Sequence, residues 1–252
     1  MEILMTGTGS MWSVSNSASA VINKNISVDF PNGTYRALKR QESDPGDIGH
    51  VLITHTHGDH ILDVPVWALG KVKFGIPKEN PKIYTSRNSV SFLKALITGA
   101  FPESLNEDVL SRHFGFITDD EFEIDGLSFR RIPVSHGKIE AYGYMVSDGT
   151  YTVSFSGDSC MCESLHEMAK SSDIFICEAA KLQATEMHLG VQAIVDFAHN
   201  YPKCAFVTTH MNDEVRTALN ERELPENLTV GTDGMRIVID SCGIMIGESR
   251  IS

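Results

Sequence analysis

Apolar residues in the first half of the chain come in short runs, interrupted every few positions by Gly, Asn, Asp or Pro, and this pattern reads as strands joined by turns. Glu2–Met5 is one such run and ends at Gly7-Thr8-Gly9-Ser10. Ala18–Ile22 and Ile26–Phe30 alternate around Asn23-Lys24-Asn25, a hairpin signal. Thr34–Gln41 reads as a short helix ahead of the polar loop Ser43-Asp44-Pro45-Gly46, and Val51–Thr54 as a buried strand. Ile61–Phe74 is expected to be helical in part, with Pro65 in a first turn or at a break. Ser86–Thr98 places Val90, Leu93, Leu96 and Ile97 at helical spacing.

Strands then return. Phe114–Thr118, Glu121–Ile124, Leu127–Val134, Ala141–Ser147 and Thr152–Ser156 are separated by Asp119-Asp120, Asp125-Gly126 and Asp148-Gly149, turn pairs at meander spacing. Helices are expected at Ser164–Lys170, Gly190–His199 and Asp213–Asn220. Strands are expected at Ile174–Cys177, Cys204–Thr208, Met235–Ile239 and Ile244–Gly247. There is no linker, low-complexity tract or short repeat, so 1–252 reads as a single domain. Each half runs strands first and helices later, which suggests two packed sheets with helices outside.

The chain has 252 residues, 42% of them hydrophobic, enough for a large core. Nothing at Met1–Gly9 resembles a signal peptide, and no apolar run approaches the roughly 20 residues that span a bilayer. The five cysteines, Cys160, Cys162, Cys177, Cys204 and Cys242, are odd in number and read as reduced thiols of a cytoplasmic protein. Cys160 and Cys162 form a CxC without a partner pair, a packing feature rather than a ligand pair. The formal charge of −12 and the lack of a dense basic cluster argue against a polyanionic partner. A small anion held by bound metal remains compatible, because the ion dominates the local field.

His55-Thr56-His57-Gly58-Asp59-His60 follows the Val51–Thr54 strand directly. Histidine and carboxylate are ligands that zinc and related divalent ions accept. Alternation along an extended segment points His55 and His57 to one side, and a sharp turn at Gly58 is expected to redirect Asp59 and His60. Three more ligand-type residues follow apolar runs: His136 in "PVSHG", Asp158 in "SGDS" and His210 in "TTHM". His50, His113, His166 and His199 lack such a setting and read as ordinary structural histidines, His50 at a strand edge and His199 at a helix C-terminus.

In this order the set resembles the metallo-β-lactamase superfamily with its HxHxDH signature, over most of the chain from "TGTGS" to "TTHM". The resemblance implies an α+β fold, a four-layer αββα sandwich of two mixed β-sheets with helices on both outer faces. It implies two divalent metal ions, zinc first among Zn, Mn, Fe and Ni. His55, His57 and His136 would hold one; Asp59, His60 and His210 the other; Asp158 would bridge them. Two such ions ionise a shared water, so the expected reaction is hydrolysis by metal-bound hydroxide.

"CEAAKLQATEMHLGVQAIVDFAHNYPKCAFVTTHM" is similar to the phosphodiesterase branch, the ribonuclease Z and cyclic-phosphate diesterase type. There a histidine at the His188 position protonates or stabilises the leaving group and an acid at the Glu178 position orients it; with Asp59 these are the expected catalytic residues. The alternatives are an N-cap-like role for His188 and a plain strand-end charge for Glu178. In ribonuclease Z a tRNA-gripping arm precedes the bridging aspartate. Here only residues 137–157 separate His136 from Asp158, which argues against tRNA and for a small, perhaps cyclic, phosphodiester. Competing readings are a lactonase or thioesterase and a non-catalytic metal-containing accessory or binding protein. The branch also implies a homodimer. Val64–Lys82, with Pro65, Trp67, Phe74 and Pro77, reads as a lid, a dimer contact or an ordinary core and surface helix. "TGTGS" lacks the GK[ST] ending of a phosphate loop and reads as a turn near the site.

Overall fold

The computed structural model describes residues 1–75, 80–247 and 249–251. In chain order the strands are Glu2–Gly7 (β1), Ser19–Ile22 (β2), Ile26–Val28 (β3), His50–Leu52 (β4), Lys82–Tyr84 (β5), Gly115–Ile117 (β6), Glu121–Ile124 (β7), Leu127–His136 (β8), Ile139–Ser147 (β9), Thr152–Phe155 (β10), Ile174–Glu178 (β11), Ala205–Thr209 (β12), Leu228–Val230 (β13), Arg236–Asp240 (β14), Gly243–Ile246 (β15) and Ser249–Ile251 (β16). The α-helices are Thr34–Arg40 (α1), Gly58–Ile61 (α2), Val64–Phe74 (α3), Val90–Ala100 (α4), Glu107–His113 (α5), Glu163–Lys170 (α6), Val191–Asn200 (α7) and Asp213–Asn220 (α8). The chain forms two compact units. One comprises Met1–Gly7, Ser17–Asp119 and Gly234–Ser252; the other comprises Thr8–Asn16 and Asp120–Asp233.

The first unit holds a nine-stranded mixed sheet in the order β16-β15-β14-β1-β2-β3-β4-β5-β6. Its β2–β3 turn puts Asn23 and Lys24 at φ 48° and 64°, the paired left-handed conformation that suits the twist of a tight hairpin. From β3 onward the pairings to β4, β5 and β6 are parallel. The expected Ile61–Phe74 helix is two helices, broken at Leu62-Asp63, and Pro65 sits in the first turn of α3, where its missing N–H costs nothing. Trp67 on α3 is buried against Phe30 and Phe114, and its Nε1 donates to the Ile48 carbonyl at 2.9 Å. That contact makes Trp67 part of the core, while Phe74 at the end of α3 is exposed, and Trp67→Ala would cost about 3–5 kcal/mol. Pro77 lies outside the described residues.

The second unit holds a seven-stranded mixed sheet, β13-β12-β11-β10-β9-β8-β7. β8 and β9 pair antiparallel along their full length, and β10 through β13 are parallel. Between His136 and Asp158 the chain is taken up by β9, β10 and their turns. α7 buries Val191, Ile194, Val195, Phe197 and Ala198, the stripe expected from its spacing, with Phe197 5.3 Å from Phe206. Asn227 Nδ2 donates to the carbonyls of Ala198, Tyr201 and Cys204, capping the end of α7 and fixing the entry to β12. All five cysteines are free thiols.

Candidate functional site

Parallel pairing places the ends of β3 and β4 side by side, with Val28 opposite Leu52. The next residues are Asp29 and Ile53-Thr54-His55. Asp29 is buried, in the left-handed region at φ 57°, a conformation that aspartate tolerates better than most residues. Its Oδ1 accepts from the Thr54 N–H at 2.8 Å. Its Oδ2 accepts from the Thr54 hydroxyl at 2.7 Å and from His60 Nδ1 at 2.7 Å. The Thr54 hydroxyl has thereby spent its proton on Asp29, so at 3.1 Å it accepts from His55 Nδ1. One carboxylate thus orients two imidazoles, one directly and one through a threonine.

The sharp turn expected at Gly58 takes the form of a helix start: Gly58 is the first residue of α2 and has no positive φ. The change from extended His57 to helical Gly58–Ile61 is what re-aims Asp59 and His60. The His60 backbone is fixed by its carbonyl, which accepts from Phe30 N at 2.8 Å. His55 Nε2 and His57 Nδ1 converge to 3.0 Å, and the His55 and His60 rings lie 4.1 Å apart.

In the second unit one sheet edge carries the chemistry. The β8–β9 turn and the C-terminal ends of β10, β11 and β12 share that edge, because β9 runs antiparallel to both β8 and β10. His136 ends β8, Asp158 follows β10 after Gly157 at φ 59°, Glu178 ends β11, and His210 follows β12 at φ 54°. Ligand atoms of Asp158, His188 and His210 all lie within 4.8 Å of one another. The His136 Nδ1–H donates to the Met187 carbonyl at 2.9 Å, which leaves Nε2 as the acceptor nitrogen.

These geometries suit a divalent cation. His136 Nε2 stands 3.9 Å from Asp158 Oδ2, and His60 Nε2 stands 3.9 Å from Asp59 Oδ2. Both gaps join an acceptor nitrogen to a carboxylate oxygen. They are too long for a hydrogen bond yet shorter than twice a zinc–ligand distance of about 2.0–2.1 Å, so one ion can reach both atoms. In both cases the other ring nitrogen is committed to an oxygen, the usual support of a ligating histidine.

His188 is not a helix cap. The N-cap of α7 is Gly190, and His188 lies on a braced loop: Lys181 N donates to Leu189 O at 3.2 Å, Thr185 N to His188 O at 2.9 Å, and His188 N to Thr185 Oγ1 at 3.0 Å. Gly190 is required there, since a Cβ would meet Ala184 N at 2.4 Å. His188 Nδ1 donates to Glu178 Oε1 at 2.9 Å and lies 4.0 Å from Asp158 Oδ2. Glu178 also accepts from the N–H groups of Ser159 and Ala180, each at 2.9 Å. Burial first, then the Asp158 carboxylate, pushes the Glu178 carboxyl well above the ordinary range; His210 and the two N–H groups pull against that.

A family model described as Anti-Pycsar protein Apyc1 matches residues 1–246. The chain belongs to that family. Among curated relatives it is 32% identical over 171 residues to Uncharacterized protein ML1173 of Mycobacterium leprae, an alignment covering 61% of this chain and 54% of that protein. The chain spans about half the length of the curated relatives it matches first. Among solved structures it is similar to human tRNase Z, short form, with a TM-score of 0.74 at 18% identity, covering 95% of this chain and 100% of that one. It is equally similar to the metallo-β-lactamase fold protein YhfI from Bacillus subtilis, with a TM-score of 0.74 at 14% identity, over 93% and 98% of the two chains. The fold of this Apyc1 family member is therefore that of the metallo-β-lactamase proteins, as the HxHxDH resemblance implied.

The two units each bring together their share of the expected residues: His55, His57, Asp59 and His60 in one, and His136, Asp158, Glu178, His188 and His210 in the other. Asp29, Thr54 and the Met187 carbonyl were not anticipated. The signal for Asp29 was a lone acid at the end of an alternating strand, in "SVDF". His50 is buried at the first position of β4, with Nδ1 3.0 Å from the Tyr84 hydroxyl. No helix among the described residues is long and apolar enough to cross a membrane.

Proposed function

We propose that the protein is a metal-dependent hydrolase that opens a small phosphodiester, a cyclic nucleotide in the setting of its family of cyclic nucleotide degraders. Following the sequence resemblance, His55, His57 and His136 would hold one divalent ion and Asp59, His60 and His210 a second, with Asp158 available to both; zinc is the first expectation for this nitrogen-rich set. When bound, the ions would ionise the attacking water and take up charge on the phosphoryl oxygens.

The observation that carries the phosphodiester reading is the His188–Glu178 pair at 2.9 Å, placed 4.0 Å from Asp158. Glu178 holds the Nδ1 proton of His188 and so commits that nitrogen, leaving proton transfer to Nε2. Nε2 is then the atom that hands a proton to the leaving alkoxide oxygen as the P–O bond breaks and the water oxygen bonds to phosphorus. An alkoxide needs that proton; the short connection between His136 and Asp158 and the charge of −12 favour a small substrate over tRNA.

The test compares His188→Ala with wild type on bis(p-nitrophenyl) phosphate, a 3′,5′-cyclic nucleotide, a lactone and a thioester. The proposal expects phosphodiester kcat to fall by about 10²–10⁴-fold with bound metal retained. Loss of all activities together, or turnover of the lactone or thioester alone by the wild type, would refute it.

A further inference from the structure

Among the described residues of the second unit, the large apolar side chains most exposed to solvent are Met11, Trp12, Val14, Ile139, Met161 and Leu182. They share a place in the fold. Ile139 follows the turn after His136, Met161 follows Asp158, and Leu182 follows Glu178 on the loop that carries His188. Met11, Trp12 and Val14 belong to the loop Thr8–Asn16, whose Gly9 pairs with Met211, the residue after His210. All six therefore rim the sheet edge that presents the candidate chemistry.

The Trp12 loop is built to hold its shape while exposing its tip. Met211 N donates to Thr8 O and Ser10 N to Met211 O, both at 3.0 Å. Gly9 N donates to Asn16 O at 2.8 Å, closing the loop on itself. A Cβ on Gly9 would lie 2.7 Å from Ser13 Cβ and 2.8 Å from Ser15 O, so the chain doubles back tightly. Asp233 accepts from the N–H groups of Thr8 and Asn16, and Asp213 accepts from Ser13 Oγ and Val14 N. Despite this bracing Trp12 is 83% exposed and Val14 93% exposed, and residues 10–19 carry no charge. Trp12 is three residues from Gly9, no more than about 11 Å of chain. The backbone that carries this flat ring is thus held within a nucleotide's reach of His210, on the unit that carries Asp158 and His188.

We propose that Trp12 is a stacking platform for the nucleobase of the substrate, a positioning and specificity residue rather than a catalytic one; the proposal rests on the cyclic nucleotide reading above. A solvent-exposed indole on a braced loop beside an anion-handling edge suits a ligand with a charged phosphodiester at one end and an aromatic ring at the other. Its exposure makes Trp12→Ala harmless to folding.

Two measurements test this. The first compares 3′,5′-cyclic AMP with an analogue whose base is replaced by a methoxy group. Trp12→Ala is expected to lower the nucleotide-to-analogue ratio of kcat/KM about tenfold, within the range of base–aromatic stacking, through KM rather than kcat, and Trp12→Phe to restore most of it. An unchanged ratio overturns the proposal. So does a change of oligomeric state in Trp12→Ala at assay concentration, which would assign the rim to a second copy of the chain. The second measurement needs no turnover. Trp67, the other tryptophan, is buried, so solvent-exposed indole emission belongs to Trp12. AMP is expected to quench it and ribose 5-phosphate to leave it unchanged; equal effects overturn the proposal. Quenching by AMP in a protein that cleaves no phosphodiester keeps the platform and refutes the phosphodiesterase reading. Phosphodiester turnover with no base-dependent effect does the reverse.

Discussion

Replacing Asp29 by Asn tests how the first unit prepares its ligands. Asn keeps the shape of Asp and tolerates the left-handed φ of 57°, so the backbone is not strained. Its carbonyl can still accept from the Thr54 N–H, as Oδ1 does now at 2.8 Å. Its amide then replaces Oδ2, which accepts from both the Thr54 hydroxyl and His60 Nδ1 at 2.7 Å. The Thr54 hydroxyl can rotate and accept instead. His60 has a single remedy, moving its proton from Nδ1 to Nε2, the nitrogen that faces Asp59 Oδ2 at 3.9 Å. A protonated Nε2 cannot ligate. Loss of such a support typically weakens metal binding 10–100-fold, or about 1.4–2.7 kcal/mol. The buried hydrogen bonds lost add a fold penalty of about 1.5–3 kcal/mol. Zinc titration of metal-stripped protein against a chromogenic chelator, with thermal melts alongside, separates the two effects. The expected result is one ion weakened by that factor in a folded protein and the other weakened less. Wild-type affinity for both ions in Asp29→Asn would refute the tautomer argument.

Three further predictions concern the His188 loop and the cysteines. Gly190→Ala puts a Cβ 2.4 Å from Ala184 N and must displace the His188 loop, so phosphodiester kcat should fall at least tenfold while stability drops by about 1–3 kcal/mol; unchanged steady-state kinetics would show that His188 does not depend on this loop. Burial, with a smaller contribution from Asp173, pushes the Cys204 thiol from 9.0 to about 12, and burial also raises Cys177. A raised folded pKa means that the associated stability is whole below about pH 9 and is lost as pH rises toward 12, by at most about 1.4 kcal/mol per pH unit for one thiol. Denaturant melts between pH 8 and 10.5 should show a shallower decline in Cys204→Ala than in wild type, and an identical decline would count against the assignment. At pH 8 iodoacetamide should modify exposed Cys242 and spare Cys177 and Cys204.

The ligand-type residues were legible because each follows an apolar run, and a strand's C-terminal end can be located from sequence alone. That logic found His55, His136, Asp158 and His210 without knowing which strands are neighbours. Asp29 needed that knowledge: it matters because β3 lies parallel to β4, and parallel partners are set by tertiary packing rather than by local pattern. β5 and β13 are three residues each, too short to show alternation. α5 buries only Leu110, so its apolar spacing is faint, although Asn106 is an N-cap whose side chain accepts from Val109 N at 3.0 Å. The redirection at Gly58 was legible, but its form, a helix start, was not, because α2 is only four residues long and shows no apolar period. The loop of His188 hid its bracing in Thr185 and Gly190, residues whose importance lies in contacts within the loop and not in any motif.

The place of β1 between β14 and β2 has a consequence for biosynthesis. Glu2 is opposite Val238, and Thr8 is tied to Asp233, so these residues must wait for partners made far later in the sequence. Neither unit is a continuous stretch of polypeptide, and neither can be cut out as one fragment. Nascent chains emerging from the ribosome would therefore hold an open edge on β1 until β14 has been made, a topology that slows folding and leaves time for chaperones to act.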